Sequence, residues 1–226
     1  MKLAALFSGG KDSTYAIYLA KKLSHSVDVL LTLYPPSSES HLLHYPNIKF
    51  TSLQAESMKI PQLIEEITST DPKAEFEKLE KLIILAKEKY SIEGIVHGGI
   101  LSKYQKDNFS LICEKNNLQI ISPLWNTKPE SYMKELLEEN FEYIITSVSS
   151  DGLNDSWLGQ IIDKNGLENL EKLQKKFRFN LNFEGGEAET FVINCPLFEK
   201  PLFIQDYDGW MMVWHERLSQ EGIDDE

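Results

Sequence analysis

Arginine is scarce in this 226-residue chain, and acidic residues outnumber basic ones. Arg178 and Arg217 are its only arginines. The 35 acidic and 23 basic residues give a formal net charge of −12 and a pI near 4.9. Tight binding to nucleic acid usually needs a basic, arginine-bearing surface, because the phosphate backbone dominates affinity. The composition therefore argues against a nucleic-acid substrate, although a local patch of lysines is compatible with it.

Paired cysteines and long apolar runs are also missing. Cys113 and Cys195 stand alone in the sequence, without a C-x-x-C pair. This spacing argues against a zinc ribbon or a disulfide framework and fits a reducing compartment. No apolar stretch approaches the ~18 residues needed to span a bilayer, and an apolar strand begins without a preceding signal peptide. We expect a cytoplasmic protein with no membrane partner; a homodimer is compatible with the sequence, which does not fix the oligomeric state.

The most informative segment that is present is Ser8-Gly9-Gly10-Lys11-Asp12-Ser13. It follows the apolar run 3–7 and precedes apolar residues at helical spacing in 16–23. Adjacent glycines allow a sharp turn, and a helix N-terminus presents unsatisfied amides and the positive end of its dipole to an anion. Lys11 offers a point charge and Ser13 a hydroxyl. The alternative is an ordinary glycine turn, but six specified residues between a strand and a helix favour a phosphate cradle. Its spacing is not that of a Walker A loop.

Strand and helix patterns alternate along the first 125 residues. Strands are predicted at 3–7, 27–33, 48–53, 94–97 and 118–122, with Pro61 starting or bounding a helix and a long helix from Asp71-Pro72 to Tyr90. This alternation predicts an α/β fold with a doubly wound parallel sheet and ligands at the carboxyl ends of its strands. After Trp125 the pattern changes to helices at 131–140 and 167–176 and strands at 143–148, 190–195, 202–205 and 210–214. We predict two domains, 1–125 and a smaller α+β domain at 126–226.

Polar residues and glycines follow two of the predicted strands. Tyr34 ends the second strand, and His97-Gly98-Gly99 ends the fourth, where the two glycines allow a nucleotide to approach closely. We predict nucleotide contacts at Tyr34, His97, Gly98 and Gly99, and substrate hydrogen bonds from Ser102, Tyr104 and Gln105.

A second glycine segment, Glu184-Gly185-Gly186-Glu187-Ala188-Glu189-Thr190, carries three carboxylates just before a β-rich run. If the strand begins near Glu187, Glu187 and Glu189 share one face. Such carboxylates can hold a metal or an ammonium ion, or act as a general base. On composition alone, a charged hairpin edge that discourages aggregation is the favoured interpretation.

Together these segments resemble one branch of the PP-loop ATP pyrophosphatases, the diphthine–ammonia ligases that complete diphthamide synthesis. The resemblance runs nearly end to end and rests on SGGKDS at 8–13, HLLHYPN at 41–47, LQAESMKIP at 53–61, GGILSKYQ at 98–105, SPLW at 122–125, GLNDSWLG at 152–159 and EGGEAETFV at 184–192. The two C-terminal motifs, at 152–159 and 184–192, are specific to this branch, whereas SGGKDS alone occurs in many unrelated ligases. Asn108 and Ser110 depart from the arginine and glutamate common in the family, and Lys103 and Lys106 are candidates to substitute for that arginine.

The resemblance implies a Rossmann-like PP-loop domain and a specific reaction. The carboxylate of diphthine, a modified histidine on translation elongation factor 2, attacks the α-phosphorus of ATP; pyrophosphate leaves, and ammonia then displaces AMP from the acyl-adenylate. The segment 8–13 would hold pyrophosphate, with Lys11 and Mg²⁺ on Asp12 neutralising charge. Glu187 and Glu189 would be catalytic, Glu187 by holding ammonium and accepting its proton. Substrate contacts would come from Glu184, Gly185, Gly186, Glu187 and Thr190.

Two other functions compete with this one. A tRNA-modifying PP-loop enzyme would have a basic surface and often paired cysteines, and this chain has neither. A regulator that binds ATP or AMP without chemistry would not need both Lys11 and Asp12. A chain of this length has no room for a glutaminase domain, so free ammonium or a separate donor must supply the nitrogen.

Overall fold

A five-stranded sheet forms the centre of the first half of the molecule. The computed structural model describes residues 1–34, 50–69, 71–207 and 210–214. The strands of the sheet are β1 (Lys2–Leu6), β2 (Ser26–Tyr34), β3 (Gln62–Glu66), β4 (Gly94–Val96) and β5 (Gln119–Ile121). Their order in the sheet is β3-β2-β1-β4-β5, and all four pairings are parallel. The chain runs outward from β1 through β2 and β3, and then returns to the other side of β1 with β4. The loops after β1 and β4 therefore meet at the point where a doubly wound sheet binds its ligands.

Helices cover both faces of this sheet, as predicted. On one face α1 (Lys11–Lys22) packs Ala16, Ile17 and Ala20 against Leu3 and Ala5. On the other face α3 (Pro72–Tyr90) and α4 (Lys103–Lys115) pack around Ala4 of β1. Burial on both faces explains why β4 and the interior of β1 are continuous apolar runs. The α/β fold class is confirmed.

One predicted strand is wrong. Of the range 48–53, residues 48 and 49 lie outside the described residues, and the chain from Thr51 to Met58 forms helix α2. Pro61 precedes β3 instead of starting a helix. The buried face of α2 includes Thr51 and Gln54 beside Ala55 and Met58, at helical spacing. Because half of these buried side chains are polar, apolar periodicity did not reveal the helix.

The second half contains helices and antiparallel strands. Its elements are α5 (Pro129–Glu138), β6 (Glu142–Val148), α6 (Lys164–Phe177), β7 (Ala188–Asn194), β8 (Phe203–Tyr207) and β9 (Trp210–Trp214). β6 pairs with β7, and β8 with β9, both antiparallel. One hydrophobic cluster joins Tyr15 and Ile100 of the first half to Tyr132, Phe141 and Tyr143 of the second. The two halves therefore share a core, and the domain boundary at 125/126 stays a prediction.

None of the described helices is both long enough and apolar enough to cross a membrane.

Candidate active site

A cleft of about 420 Å³ lies at the carboxyl ends of β1 and β4. The loop after β1, the loop after β4 and the segment 183–190 form most of its walls. The predicted site residues that line it are Ser8, Gly10, Lys11, Asp12, Ser13, His97, Gly98, Gly99, Ser102, Gln105, Glu184, Gly185, Gly186, Glu189 and Thr190. Its volume is in the range of small-molecule sites. The structure thus brings three separately predicted segments to one cleft.

Four predicted site residues do not line the cleft: Gly9, Tyr34, Tyr104 and Glu187. Tyr34 is the last residue of β2. Tyr104 is 53% exposed, and its ring packs against Phe76 with centroids 5.8 Å apart. Gly9 lies behind the cradle, where a side chain would collide with Gln54 and where its φ of +79° favours glycine. The motif at 41–47 lies outside the described residues.

The phosphate cradle is held from behind by a second-half strand and by α2. The carbonyl oxygen of Gly9 accepts hydrogen bonds from the amide of Val192 (3.0 Å) and from Nε2 of Gln54 (2.9 Å). Nε2 of Gln54 also donates to the carbonyl of Val192, at 2.7 Å. Because two donors hold this carbonyl, the orientation of the backbone of the phosphate cradle is fixed. Sequence reasoning did not identify Gln54 as a site residue, although it lies in the LQAESMKIP segment.

The backbone amides at the start of α1 differ in whether they have a hydrogen-bond acceptor. The Lys11 amide donates to Oγ1 of Thr190 at 3.2 Å. Within the described residues, no acceptor is found for the amides of Asp12 and Ser13, as expected for the first turn of a helix. Both residues line the cleft. These two donors and the helix dipole make this end of the cleft suited to an anion.

Lys11 is buried and paired inside the protein. Only 1% of it is exposed, and Nζ donates to both oxygens of Asp12, each at 3.0 Å, and to the carbonyl of Asn182 at 2.7 Å. The ring of Phe183 lies 5.4 Å from this ammonium. Asp12 also accepts a 2.6 Å hydrogen bond from the hydroxyl of Tyr132, and burial followed by the Asp12 charge raises the pKa of that phenol well above its ordinary value. Lys11 therefore links the cradle to the 178–187 loop, and its charge is already balanced by Asp12.

The residues of the cleft fit Mg²⁺ only in combination with a nucleotide. No group of three or more His, Cys, Asp or Glu side chains suited to a metal is found in the part of the chain that the structure describes. Mg²⁺ is commonly held by one or two carboxylates and by substrate phosphates, with water completing its shell. Asp12, whose side chain is 32% exposed and lines the cleft, fits that role.

His97 forms a neutral part of the cleft wall. Its Nδ1 accepts the Gly99 amide at 3.1 Å, which assigns the proton to Nε2 and makes Ser122 Oγ the acceptor at 2.7 Å. Burial and the nearby Lys106 charge lower the pKa of His97 to about 4. At neutral pH this imidazole is uncharged, so it contributes hydrogen bonding and shape instead of a cation.

The loop 178–187 carries two carboxylates with different surroundings. Oε1 of Glu184 accepts the amides of Ile100, Leu101 and Ser102 at 3.3, 2.9 and 3.2 Å. Glu187 closes its own loop: Oε1 accepts the amide and side-chain nitrogen of Asn180 (2.9 and 2.6 Å), and Oε2 accepts the Gly185 amide at 2.8 Å. Glu184 therefore joins this loop to the loop after β4, whereas Glu187 stabilises the turn.

Comparison with known proteins identifies the family of this chain. The family model of the diphthamide synthase N-terminal domain matches residues 1–120, and that of the C-terminal domain matches residues 128–223. The chain belongs to the diphthamide synthase family. It is 34% identical to a diphthine–ammonia ligase of Bos taurus and 33% identical to that of Homo sapiens, in each case over 90% of this chain and 83% of the relative. The family resemblance expected from the motifs is confirmed.

A solved structure described as a predicted subunit of tRNA methyltransferase from Methanocaldococcus jannaschii also aligns with the chain. The alignment covers 87% of this chain and 98% of that one, with 18% identity and a TM-score of 0.41. This score is too low to establish a common fold.

Asn108 and Ser110, where the sequence was expected to depart from the family pattern, lie on α4. Asn108 donates from Nδ2 to the carbonyl of Tyr104, one turn earlier, at 2.7 Å. Nζ of Lys106 lies 4.0 Å from the centre of the Trp125 ring, a cation–π contact. Lys106 thus contacts the SPLW motif; that it replaces the family arginine stays a prediction.

Gly98 is expected to be intolerant of any side chain. A Cβ there would lie 2.5 Å from both the carbonyl carbon and the oxygen of Asp12, which are backbone atoms of α1. Gly98→Ala should therefore lower the free energy of unfolding by about 1–3 kcal/mol, the usual cost of overpacking, and displace the cradle. Urea unfolding measures this change.

Gly166→Ala provides the matched control. Gly166 lies in the first turn of α6, where the atom nearest to an added Cβ would be 3.4 Å away. The substitution should be neutral or stabilise by up to ~1 kcal/mol, because alanine favours helix. Equal stability of the two variants would contradict the close approach at Gly98.

Proposed function

We propose that this chain is a diphthine–ammonia ligase that converts diphthine on translation elongation factor 2 to diphthamide, consuming ATP and ammonium and releasing AMP and pyrophosphate. Its membership of the diphthamide synthase family supports this activity. The structural observation that carries it is the cradle at the cleft, where amides of α1 lack acceptors within the described residues while the loop behind them is fixed by Val192 and Gln54. A translation factor as substrate implies action in the cytoplasm.

The first step is carboxylate attack on the α-phosphorus of ATP. Two anions must be brought together, so the site has to align them and neutralise charge. The cradle formed by residues 8–13 holds the pyrophosphate leaving group through its amides and the α1 dipole. When ATP binds, phosphate oxygens replace Asp12 as the partner of the Lys11 ammonium, so Lys11 supplies the positive charge. Mg²⁺, when bound by Asp12 and the phosphates, supplies further charge neutralisation.

The second step requires a nitrogen nucleophile beside the acyl-adenylate. Ammonium must lose a proton before it can attack, so a carboxylate near the cleft is required. The family motif at 184–192 supplies three candidates, of which Glu184 and Glu189 line the cleft. Ser102, the N-cap of α4, and Gln105, in its first turn, also line the cleft and are proposed to contact the diphthine substrate.

The nucleotide products test this proposal. A reaction that contains the protein, ATP, Mg²⁺, ammonium and diphthine-bearing elongation factor 2 should yield AMP and pyrophosphate in a 1:1 ratio. Omitting the factor, or using factor that lacks the modified histidine, should abolish turnover, since the acceptor carboxylate is then absent. Formation of ADP and phosphate would contradict attack at the α-phosphorus.

A further inference from the structure

We propose that Glu184 is the carboxylate that holds ammonium in the cleft and accepts its proton; this assignment rests on the proposed ligase function. The family resemblance and the position of Glu187 in the motif predicted this role for Glu187, and Glu184 only as a substrate contact. The surroundings of the two side chains favour the opposite assignment.

One oxygen of Glu184 is anchored and the other is available. Oε1 accepts three consecutive backbone amides, from Ile100 to Ser102, in the loop after β4. Oε2 has no hydrogen-bond partner or ion pair within residues 1–34, 50–69, 71–207 and 210–214, and Glu184 lines the cleft. Three hydrogen bonds from backbone amides fix the position of this carboxylate. The side chain therefore offers a bound cation a carboxylate oxygen whose position is fixed.

Glu187 lacks both properties. Its two oxygens accept three hydrogen bonds from Asn180 and Gly185, and it does not line the cleft. A carboxylate used in this way would have to release its own loop to reach an ammonium ion. A Cβ at Gly185 would lie 2.8 Å from Oε1 of Glu187, so a larger residue there would displace this carboxylate. Glu187 is thus placed as a positioning residue that shapes the turn carrying Glu184.

The proposed step is balanced. Ammonium transfers one proton to Oε2 of Glu184, which becomes a carboxylic acid, and leaves neutral ammonia. The nitrogen lone pair attacks the acyl carbon of the adenylate, a C–N bond forms, and the C–O bond to AMP breaks. A second proton passes from the former ammonia nitrogen to water, and Glu184 returns its proton to solvent before the next turnover.

Exchanging the nucleophile separates this role from a structural one. Hydroxylamine is largely neutral at pH 7, so it attacks the adenylate without needing a base. Glu184→Gln keeps an oxygen to accept the three amides but loses the charge. We expect ammonium-dependent amide formation to fall at least ~10²-fold, the usual range for a lost general base, while hydroxamate formation stays within a few-fold of wild type.

Glu187→Gln is the matched control from the same loop. Because it weakens the turn instead of removing the base, both products should fall by the same factor. If Glu184→Gln lowers both products equally or neither, or if Glu187→Gln or Glu189→Gln alone is selective against ammonium, the assignment is overturned.

Should Glu184→Gln fail to fold, Glu184→Asp is the second variant, because it retains the charge on a side chain one methylene shorter. Its ratio of amide to hydroxamate should lie below that of wild type, and an unchanged ratio would overturn the assignment.

The assay also distinguishes the two levels of the proposal. If the wild-type protein makes both hydroxamate and amide on elongation factor 2 but Glu184→Gln lowers both equally or neither, only the role of Glu184 is overturned. Wild-type protein that makes neither product overturns the ligase function and the Glu184 role with it.

Discussion

Replacing Lys11 with methionine is expected to lower AMP formation at least ~10²-fold, the usual cost of losing one charge contact to a transition state. The side chain is buried and joins Asp12 to the carbonyl of Asn182, so the variant loses its charge and a link between the cradle and the 178–187 loop. The variant should still fold, because the Asp12 side chain is 32% exposed and water can solvate it when the ammonium is gone. Steady-state AMP release, with thermal melting to check folding, measures the effect.

Lys22→Met is the matched control in the same helix. Lys22 pairs with Glu139 at 2.5 Å, is exposed at the end of α1 and does not line the cleft. Exposed ion pairs contribute little, so turnover should stay within about twofold of wild type. Activity of Lys11→Met within tenfold of wild type, or an equal loss in both variants, would contradict a role for the Lys11 charge.

Replacing Gln54 with methionine is expected to raise the KM for ATP about tenfold or more, equivalent to ~1.4 kcal/mol of binding. Methionine is similar in size but cannot donate, so Gly9 loses one of its two donors and Val192 loses a contact from α2. The cradle is then free to turn its amides away from the phosphates. The chemical step should change less than KM, because Gln54 does not touch the reacting atoms. Initial rates against ATP concentration give both constants.

Ser57→Ala distinguishes loop positioning from general destabilisation. Ser57 lies on the same helix, donates to the carbonyl of Lys200 at 2.6 Å and makes no hydrogen bond to the cradle. Its loss should cost ~1 kcal/mol of stability with no change in the KM for ATP. A rise in KM of similar size in both variants would show that Gln54 acts only through stability.

Much of the fold could be predicted from local pattern. Buried strands such as β1 read as short apolar runs, and Asp71 before Pro72 marks the start of α3, where its side chain caps the Lys73 amide. The helix α2 could not be predicted in this way. Its Gln54 is buried because it binds the backbone of Gly9 and Val192, two partners set by the tertiary fold.

The candidate site, like the fold, could be predicted from the sequence only where its features depend on local pattern. The spacing of residues 8–13 between a strand and a helix identified the cradle, because its chemistry is local. The distinction between Glu184 and Glu187 depends on Ile100, Leu101 and Ser102, which lie over 80 residues away in the chain. Alternation along a strand suggested that Glu187 points with Glu189, but β7 begins only at Ala188, so Glu187 belongs to the turn.

The mass of the modified histidine tests the central claim most directly. Elongation factor 2 bearing diphthine would be incubated with this protein, ATP, Mg²⁺ and either ¹⁴N- or ¹⁵N-ammonium, then digested and examined by mass spectrometry. With ¹⁴N-ammonium, conversion of the carboxylate to an amide replaces OH with NH₂ and lowers the peptide mass by about one unit; with ¹⁵N-ammonium the product should be about one unit heavier than the ¹⁴N product. A peptide that keeps the diphthine mass in the ¹⁴N-ammonium reaction, while the added ATP and factor remain intact, would contradict the ligase function.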